Sequence, residues 1–147
     1  MTILRQTIFK VPRGDIRFEW TSMAGQKILL VDDDADLRLL LESALRILKY
    51  EIEGVDGGLA AINRANQEKF ALIFMDWHMP DLDGFEASRR IWEQSSLNRD
   101  TKIIVFTSSD TPGEIAQCIE HGFADVLSKS FEMQRLVELM AKHFPEG

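Results

Sequence analysis

Polar side chains capable of chemistry stand at the ends of four short apolar runs in this sequence. Asp32 and Asp33 follow one run, and Asp76 ends a second. Thr107 closes a third run, and Lys129 comes just after a fourth. Carboxylates bind hard divalent cations, while a hydroxyl and an ammonium group stabilise the oxygens of a transferring phosphoryl group. This chemistry requires that the fold bring the four chain segments together.

The four runs belong to a regular alternation of strand and helix patterns that begins at Gln26. The pattern predicts strands at 27–31, 50–55, 70–75, 102–106 and 124–127, and helices at about 35–49, 57–67, 84–94, 112–121 and 131–143. Crossovers long enough to be helices favour a parallel sheet, and nearly continuous apolar strands are typical of a sheet covered on both faces. The predicted fold class is therefore α/β, a doubly wound five-stranded parallel sheet with five helices.

All strands of a parallel sheet end at the same edge, where open α/β folds place their sites. At ~4 Å and an effective dielectric constant of ~20, each pair of carboxylates there repels by roughly 4 kcal/mol. A proton or a cation must relieve this repulsion, and a set of carboxylate oxygens favours Mg²⁺. With Lys129 and Thr107 at the same edge, the set suits transfer of a phosphoryl group to a carboxylate.

Each of these residues has a simpler explanation when it is considered alone. The run from Asp32 to Asp34 could be a solvated loop that caps a helix, and Asp76 could be a turn former. Thr107 could be a helix cap, and Lys129 could be an ordinary surface lysine. Their joint occurrence, each at the end of its own strand, favours a site. The side chain of His78 is not expected to bind a metal, because no His or Cys partner has suitable spacing.

Composition narrows the classes of protein that this chain can be. The 147 residues are 45% hydrophobic and 28% charged, which is ordinary for a globular protein of one domain. The net charge is -7, which argues against direct binding to nucleic acid. A single cysteine excludes an internal disulfide, and no apolar run approaches the ~20 residues that span a bilayer. No signal peptide is recognisable, so the expected location is cytoplasmic, without membrane association.

Residues 1–25 differ from the rest of the chain and are predicted to be an N-terminal extension to a domain at 26–147. The extension carries a net charge of +2 from four basic and two acidic side chains, which leaves -9 for the remainder. Two loosely alternating segments, separated by Pro12 and Gly14, suggest strands. The extension is a floppy segment, or a mis-assigned start with Met23 as the working initiator, or an arm whose large apolar residues pack on this domain or a neighbour.

Four segments resemble the receiver domain of two-component response regulators, of the stand-alone type similar to CheY, and the resemblance covers about 26–147. The segments are Ile28-Leu-Leu-Val-Asp-Asp-Asp34, Leu72-Ile-Phe-Met-Asp-Trp-His-Met-Pro-Asp-Leu-Asp-Gly-Phe85, Ile103-Ile-Val-Phe-Thr-Ser108 and Leu127-Ser-Lys-Ser-Phe131. The resemblance implies a flavodoxin-like sheet with strand order 2-1-3-4-5.

The resemblance also implies a role for each candidate residue. Asp76 would be the acceptor phosphorylated by a sensor histidine kinase or a histidine phosphotransfer protein. Asp33, Asp76 and the backbone carbonyl of His78 would hold Mg²⁺, and Asp32 would act through water. Thr107 and Lys129 would contact the phosphoryl oxygens.

Two positions depart from the family pattern. The family usually has proline after the lysine, often through a cis bond, where this chain has Ser130. A cis bond before a residue other than proline costs roughly 3–4 kcal/mol, so a trans bond or a strained one is expected. The family often has Tyr or Phe at the position of Val126, and this aromatic ring swings inward on activation. Valine cannot report phosphorylation in that way, which suggests an altered output surface.

The expected function is a phosphoacceptor in a phosphorelay that presents a phosphorylation-dependent surface to a downstream protein, without a DNA-binding domain. A monomer or weak homodimer is expected, and not an enzyme. One competing interpretation is a phosphatase that uses Asp76 as nucleophile. The haloacid-dehalogenase type would need a second Asp at the position of His78. Another competing interpretation is a receiver-like domain that binds proteins without being phosphorylated, which Ser130 and Val126 mildly favour.

Overall fold

The computed structural model describes residues 4–10, 16–22 and 26–144. Strands β1 (Leu4–Lys10) and β2 (Ile16–Ser22) pair antiparallel, with Leu4 opposite Ser22 and Lys10 opposite Ile16. The two alternating segments of the N-terminal extension are therefore strands, as predicted. The turn signals at Pro12 and Gly14 lie outside the described residues.

The remaining strands form one parallel sheet in the order β4-β3-β5-β6-β7. Their bounds are Ile28–Val31 for β3, Ile52–Val55 for β4, Leu72–Asp76 for β5, Ile103–Thr107 for β6 and Asp125–Ser128 for β7. Counted among these five strands alone, the order is the 2-1-3-4-5 of the flavodoxin-like fold. The fold prediction is confirmed.

A helix follows each parallel strand, as the alternating pattern predicted. The bounds are Ala35–Ile47 for α1, Gly58–Ala65 for α2, Gly84–Gln94 for α3, Pro112–Glu120 for α4 and Met133–His143 for α5. Asp34 caps α1 by accepting from the backbone N–H groups of Asp36 and Leu37, which satisfies donors that the first turn leaves free. None of the helices in the described ranges is long and apolar enough to cross a membrane.

Two apolar clusters cover the two faces of the sheet. On one face, residues of α2, α3 and α4 pack against alternate strand positions such as Ile73 and Val105. On the other face, residues of α1 and α5 pack against the intervening positions, such as Phe74 and Phe106. The central strands β3, β5 and β6 are buried along their whole length, because helices cover them on both sides. This packing holds the strand ends, and therefore the site, in a fixed arrangement.

Two leucines that share helical spacing with buried residues lie on the surface. The side chain of Leu40 in α1 is 52% exposed, and that of Leu59 in α2 is 55% exposed. The tightly packed residues of α2 are the small Ala61 and Ala65, which let the helix approach the sheet closely. Helical spacing alone did not show that Ala61 and Ala65 are buried while Leu59 is exposed.

Candidate functional site

Three carboxylates meet at the carboxyl edge of the sheet. Asp32 directly follows β3, and Asp76 ends the neighbouring β5, so the pairing of these strands sets the two side chains side by side. Both are buried, while Asp33 is exposed. One carboxylate oxygen from each of the three lies within 4.8 Å of the others. The sequence prediction of an acidic cluster from separate strands corresponds to this geometry.

Lys129 extends from the end of β7 into this cluster. Its Nζ lies 2.9 Å from Asp76 Oδ1 and 3.2 Å from Asp32 Oδ2. Its side chain is only 16% exposed, so water weakens these ion pairs little. The lysine therefore balances part of the negative charge that the two buried aspartates bring together.

The turn that carries Lys129 is built without a proline. No peptide bond in the described part of the chain is cis, so Lys129–Ser130 is trans. Ser130 donates its backbone N–H to Ser128 Oγ at 3.2 Å, and the two hydroxyls lie 2.9 Å apart. Lys129 donates its own N–H to the carbonyl of Thr107 at 2.8 Å. These bonds hold the lysine backbone beside β6, and its side chain reaches the carboxylates.

The electrostatics of the cluster centre on Asp76. The pKa of Asp76 is raised to about 7, chiefly by burial, and the nearby Asp32 and Asp33 also raise it. The ion pair with Lys129 acts in the opposite direction. For Lys129, burial acts to lower the pKa, but Asp76 and Asp32 outweigh that effect and hold it above the ordinary value. Without a further cation, the site therefore carries more negative charge than one lysine can neutralise.

The free oxygens of the cluster suit a divalent cation. Asp76 Oδ2 is buried and accepts no hydrogen bond from any described residue. Asp32 Oδ2 is buried too, and it lies near Lys129 Nζ without the alignment of a hydrogen bond. Asp32 Oδ1 is already engaged by the backbone N–H of Asp34 at 2.9 Å. Buried acceptors without donors are costly, and a hard cation with its bound water molecules would satisfy them.

Thr107 and His78 lie on the side of the site that faces α4. Thr107 ends β6, is buried, and its Oγ1 accepts the backbone N–H of Ser109 at 3.2 Å. His78 has an exposed side chain, which is not part of the cluster of three carboxylates. Both residues line a cavity of about 190 Å³, together with Trp77 and Glu114. This cavity lies next to the first turn of α4.

The loop after Asp76 is held at its ends by a backbone hydrogen bond and by a side-chain helix cap. Gly84 donates its N–H to the carbonyl of Trp77 at 2.9 Å, and Asp83 caps α3 by accepting from the N–H of Glu86 at 2.8 Å. A Cβ on Gly84 would lie 2.3 Å from the carbonyl oxygen of Asp76, so only glycine fits there. This close approach brings the start of α3 directly against Asp76.

Asp81 was not predicted to have a role, and the structure places it in contact with α2. Its carboxylate accepts from the backbone N–H groups of Gly58 and Leu59 across more than 20 residues of sequence. One signal was available: α2 begins at a glycine pair and has no side chain to cap it. A helix start without a cap of its own suggests an acceptor from elsewhere in the fold.

Comparison with known proteins places these observations in a family. A sequence model of the response regulator receiver domain matches residues 28–141. The chain is 34% identical over 126 residues to the response regulator receiver protein CpdR of Brucella abortus, and the match covers 80% of this chain and 95% of CpdR. It is 32% identical over 132 residues to the sensor protein GacS of Pseudomonas syringae, which covers 88% of this chain. The chain spans only 14% of the length of GacS.

Solved structures are similar in fold and in extent. The chemotaxis protein CheY4 of Vibrio cholerae superimposes with a TM-score of 0.73 at 27% identity, covering 81% of this chain and 98% of CheY4. The receiver domain of the sensor histidine kinase PA1611 of Pseudomonas aeruginosa, solved with magnesium in its active-site cleft, gives a TM-score of 0.71 at 32% identity. That match covers 82% of this chain and 98% of the PA1611 domain. The chain belongs to the response regulator receiver domain family, the signalling modules of two-component systems.

Proposed function

We propose that Asp76 accepts a phosphoryl group from a phosphohistidine of a sensor histidine kinase or a histidine phosphotransfer protein. One observation carries this proposal. Lys129 holds one oxygen of the Asp76 carboxylate at 2.9 Å, while the other oxygen has no hydrogen-bond partner among the described residues. The carboxylate is thus oriented and retains an oxygen available for attack on phosphorus.

The residues around Asp76 each have a role in the phosphoryl transfer. A carboxylate oxygen of Asp76 forms a bond to phosphorus as the phosphorus–nitrogen bond to histidine breaks. The imidazole nitrogen keeps that electron pair and takes a proton from solvent. The ammonium group of Lys129 stabilises the negative oxygens, and the hydroxyl of Thr107 exchanges the N–H of Ser109 for a phosphoryl oxygen to which it donates.

We assign the cation to Mg²⁺, held by Asp33, Asp76 and the backbone carbonyl of His78, with Asp32 acting through water. Oxygen donors of this type and number suit Mg²⁺, which keeps part of its water shell. When bound, the ion would neutralise charge on the carboxylates and on the incoming phosphoryl oxygens. The buried oxygens without donors support this assignment.

The surface beside the site suits a helical phosphotransfer partner. In the first turns of α1, close after Asp33, Leu39 and Leu40 are 60% and 52% exposed. Exposed leucines next to a reactive group provide an apolar contact for a partner helix that brings its phosphohistidine to Asp76. The acidic chain, with a net charge of -7, favours a downstream protein target over nucleic acid.

Residues 26–147 would form the receiver domain, and 1–25 would form an extension to it. The protein would act in the cytoplasm as a monomer or weak homodimer, and it would not be an enzyme. Because Val126 is buried and has no ring to swing, the signal would reach α4 through Thr107 and Ser109.

One assay separates the proposal from its competitors. The chain is incubated with acetyl phosphate and Mg²⁺, and its intact mass is measured. A gain of one phosphate that disappears in Asp76→Asn supports the receiver function. Rapid hydrolysis of free phosphomonoesters would support a phosphatase instead. No gain of mass with acetyl phosphate or with a phosphorylated phosphotransfer protein would support a domain that only binds proteins.

A further inference from the structure

Asp81, in the middle of the loop after the acceptor, caps a helix that is distant in sequence. Its Oδ2 accepts the N–H of Leu59 at 3.1 Å, and its Oδ1 lies 3.4 Å from the N–H nitrogen of Gly58. Gly57, at the N-cap position of α2, has no side chain to offer those donors. The carboxylate of Asp81 therefore takes the place that a capping residue would normally fill.

The two glycines at the start of α2 leave space for this contact. A Cβ on Gly57 would lie 2.9 Å from Asp81 Oδ2, and a Cβ on Gly58 would lie 3.0 Å from the carbonyl oxygen of Leu82. Either side chain would push the loop away from the helix. Both sides of the contact, the carboxylate and the glycine pair, are thus shaped for close approach between loop and helix.

Electrostatic attraction also stabilises the contact between Asp81 and the N-terminus of α2. The N-terminus of a helix carries partial positive charge from its free N–H groups, and a carboxylate there is stabilised. Burial acts to raise the pKa of Asp81, but the backbone N–H groups of Leu59, Gly58, Leu82 and Asp81 together outweigh it and hold the pKa below its ordinary value. The contact consequently persists at neutral pH, where this carboxylate is ionised.

The contact fixes the part of the loop that carries His78. The backbone bond of Gly84 to Trp77 and the Asp83 cap hold the two ends of the loop. Between them, Met79 is buried in the core next to His78, and Asp81 ties the following residues to α2. A break at Asp81 would leave the middle of the loop with fewer restraints, although no atom of Asp81 belongs to the carboxylate cluster.

We propose that Asp81 is a positioning residue for the cation site, which acts by clamping the 77–83 loop to the N-terminus of α2. This inference rests on the proposed function, since the backbone carbonyl of His78 is the cation ligand that the clamp would hold in place. It also makes the first turn of α2 sensitive to occupation of the site, because the loop and the helix share one carboxylate.

The test compares Mg²⁺ affinity in the parent chain with that of Asp81→Ala and Asp81→Asn, measured by calorimetric titration at pH 7.5. Supporting partners of metal ligands typically contribute about 10-fold or more to affinity, and we expect a loss of that order for Asp81→Ala. Asn retains one acceptor oxygen, so Asp81→Asn should lose less and should recover part of the affinity. If Asp81→Ala fails to fold, the affinity of Asp81→Asn is compared with that of the parent instead.

Ala60→Gly is the matched control, because it weakens α2 through helix propensity without touching the loop. It should leave Mg²⁺ affinity within twofold of the parent value. On adding Mg²⁺, the amide signals of Gly58 and Leu59 should shift in the parent and stay in place in Asp81→Ala.

An Asp81→Ala variant that folds and binds Mg²⁺ as the parent does would overturn the inference and leave the proposed function intact. Equal loss of affinity in Asp81→Ala and Ala60→Gly would also overturn it, since helix stability alone would then explain the effect. If the parent itself binds no Mg²⁺, both the inference and the cation part of the proposed function are wrong.

Discussion

Lys129 contacts Asp76 directly, with Nζ 2.9 Å from Oδ1, across the ends of two strands that are not neighbours in the sheet. The contact forms although a serine follows the lysine and the peptide bond between them is trans. The hydrogen bonds of the Ser128–Ser130 turn hold that backbone, and the flexible lysine stem covers the remaining distance. The placement of the lysine therefore does not require the proline that is usual in this family.

Removal of that lysine charge should destabilise the protein. In Lys129→Met, two buried carboxylates lose their counterion, and loss of one partner of a buried ion pair typically costs roughly 3–5 kcal/mol. We expect the free energy of unfolding in urea at pH 8, without divalent cations, to fall by about 3 kcal/mol. Lys129→Arg, which keeps the charge, should lose less. An unchanged unfolding free energy in Lys129→Met would mean that the ion pairs contribute no net stability.

The raised pKa of Asp76 should make stability depend on pH when no divalent cation is present. The folded state binds the proton more tightly than the unfolded chain, with a pKa of about 7 against an ordinary 3.8. The unfolding free energy should therefore decrease as pH rises from 4 to 7, by at most about 1.4 kcal/mol per pH unit. Asp76→Asn should remove this decrease, so the variant becomes more stable than the parent at pH 8.

The measurement is urea unfolding in EDTA at pH 5 and pH 8, and only the difference between the parent and Asp76→Asn is interpreted. The control is Asp100→Asn, which removes an exposed carboxylate far from the site. Addition of Mg²⁺ at 100 times its dissociation constant should raise the unfolding free energy of the parent by about 2.7 kcal/mol. It should not raise that of Asp76→Asn. Equal pH dependence in the parent and Asp76→Asn would show that Asp76 has an ordinary pKa.

Gly84→Ala should damage both the fold and the site. The new Cβ would lie 2.3 Å from the carbonyl oxygen of Asp76, and a backbone atom in the core can move only if α3 moves with it. Strain of this kind typically costs roughly 1–3 kcal/mol. We expect lower stability in thermal unfolding and slower labelling by acetyl phosphate.

Gly113→Ala is the matched control for Gly84→Ala. Gly113 lies in the first turn of α4, and a Cβ there would meet nothing within 4 Å. Alanine favours helix over glycine by up to about 1 kcal/mol, so this variant should be as stable as the parent or more so. Similar losses in both variants would show that the close approach at Gly84 is not the cause.

Beryllofluoride, a mimic of the phosphoryl group, should shift the start of α4 through Thr107. When the Thr107 hydroxyl turns toward the bound group, it releases the N–H of Ser109, which it now accepts at 3.2 Å. We expect amide NMR shifts at Ser109 and in the first turn of α4 of the parent, reduced in Thr107→Ala and retained in Thr107→Ser. Unshifted signals in α4 and β7 of the parent would show that the chain does not switch by this route.

Local patterns were sufficient to place the elements. Periodicity predicted the helix Gly84–Gln94 with its observed bounds, and every other helix and strand of the parallel sheet begins and ends within two residues of prediction. Asp34 was identified as a helix cap because capping depends on the next three residues alone. Periodicity did not indicate that Leu40 and Leu59 are exposed, because it indicates a face and does not show how far the neighbouring layer covers it.

By itself, the sequence determined the alternation of strands and helices and the order in which polar residues follow the strands, because both depend on neighbours along the chain. The tertiary structure decided which side-chain atoms meet. It set the 2.9 Å contact of Lys129 with Asp76, the burial that raises the pKa of Asp76, and the contact of Asp81 with the first turn of α2. These depend on how helices pack on the sheet, and that packing brings together residues more than 20 positions apart.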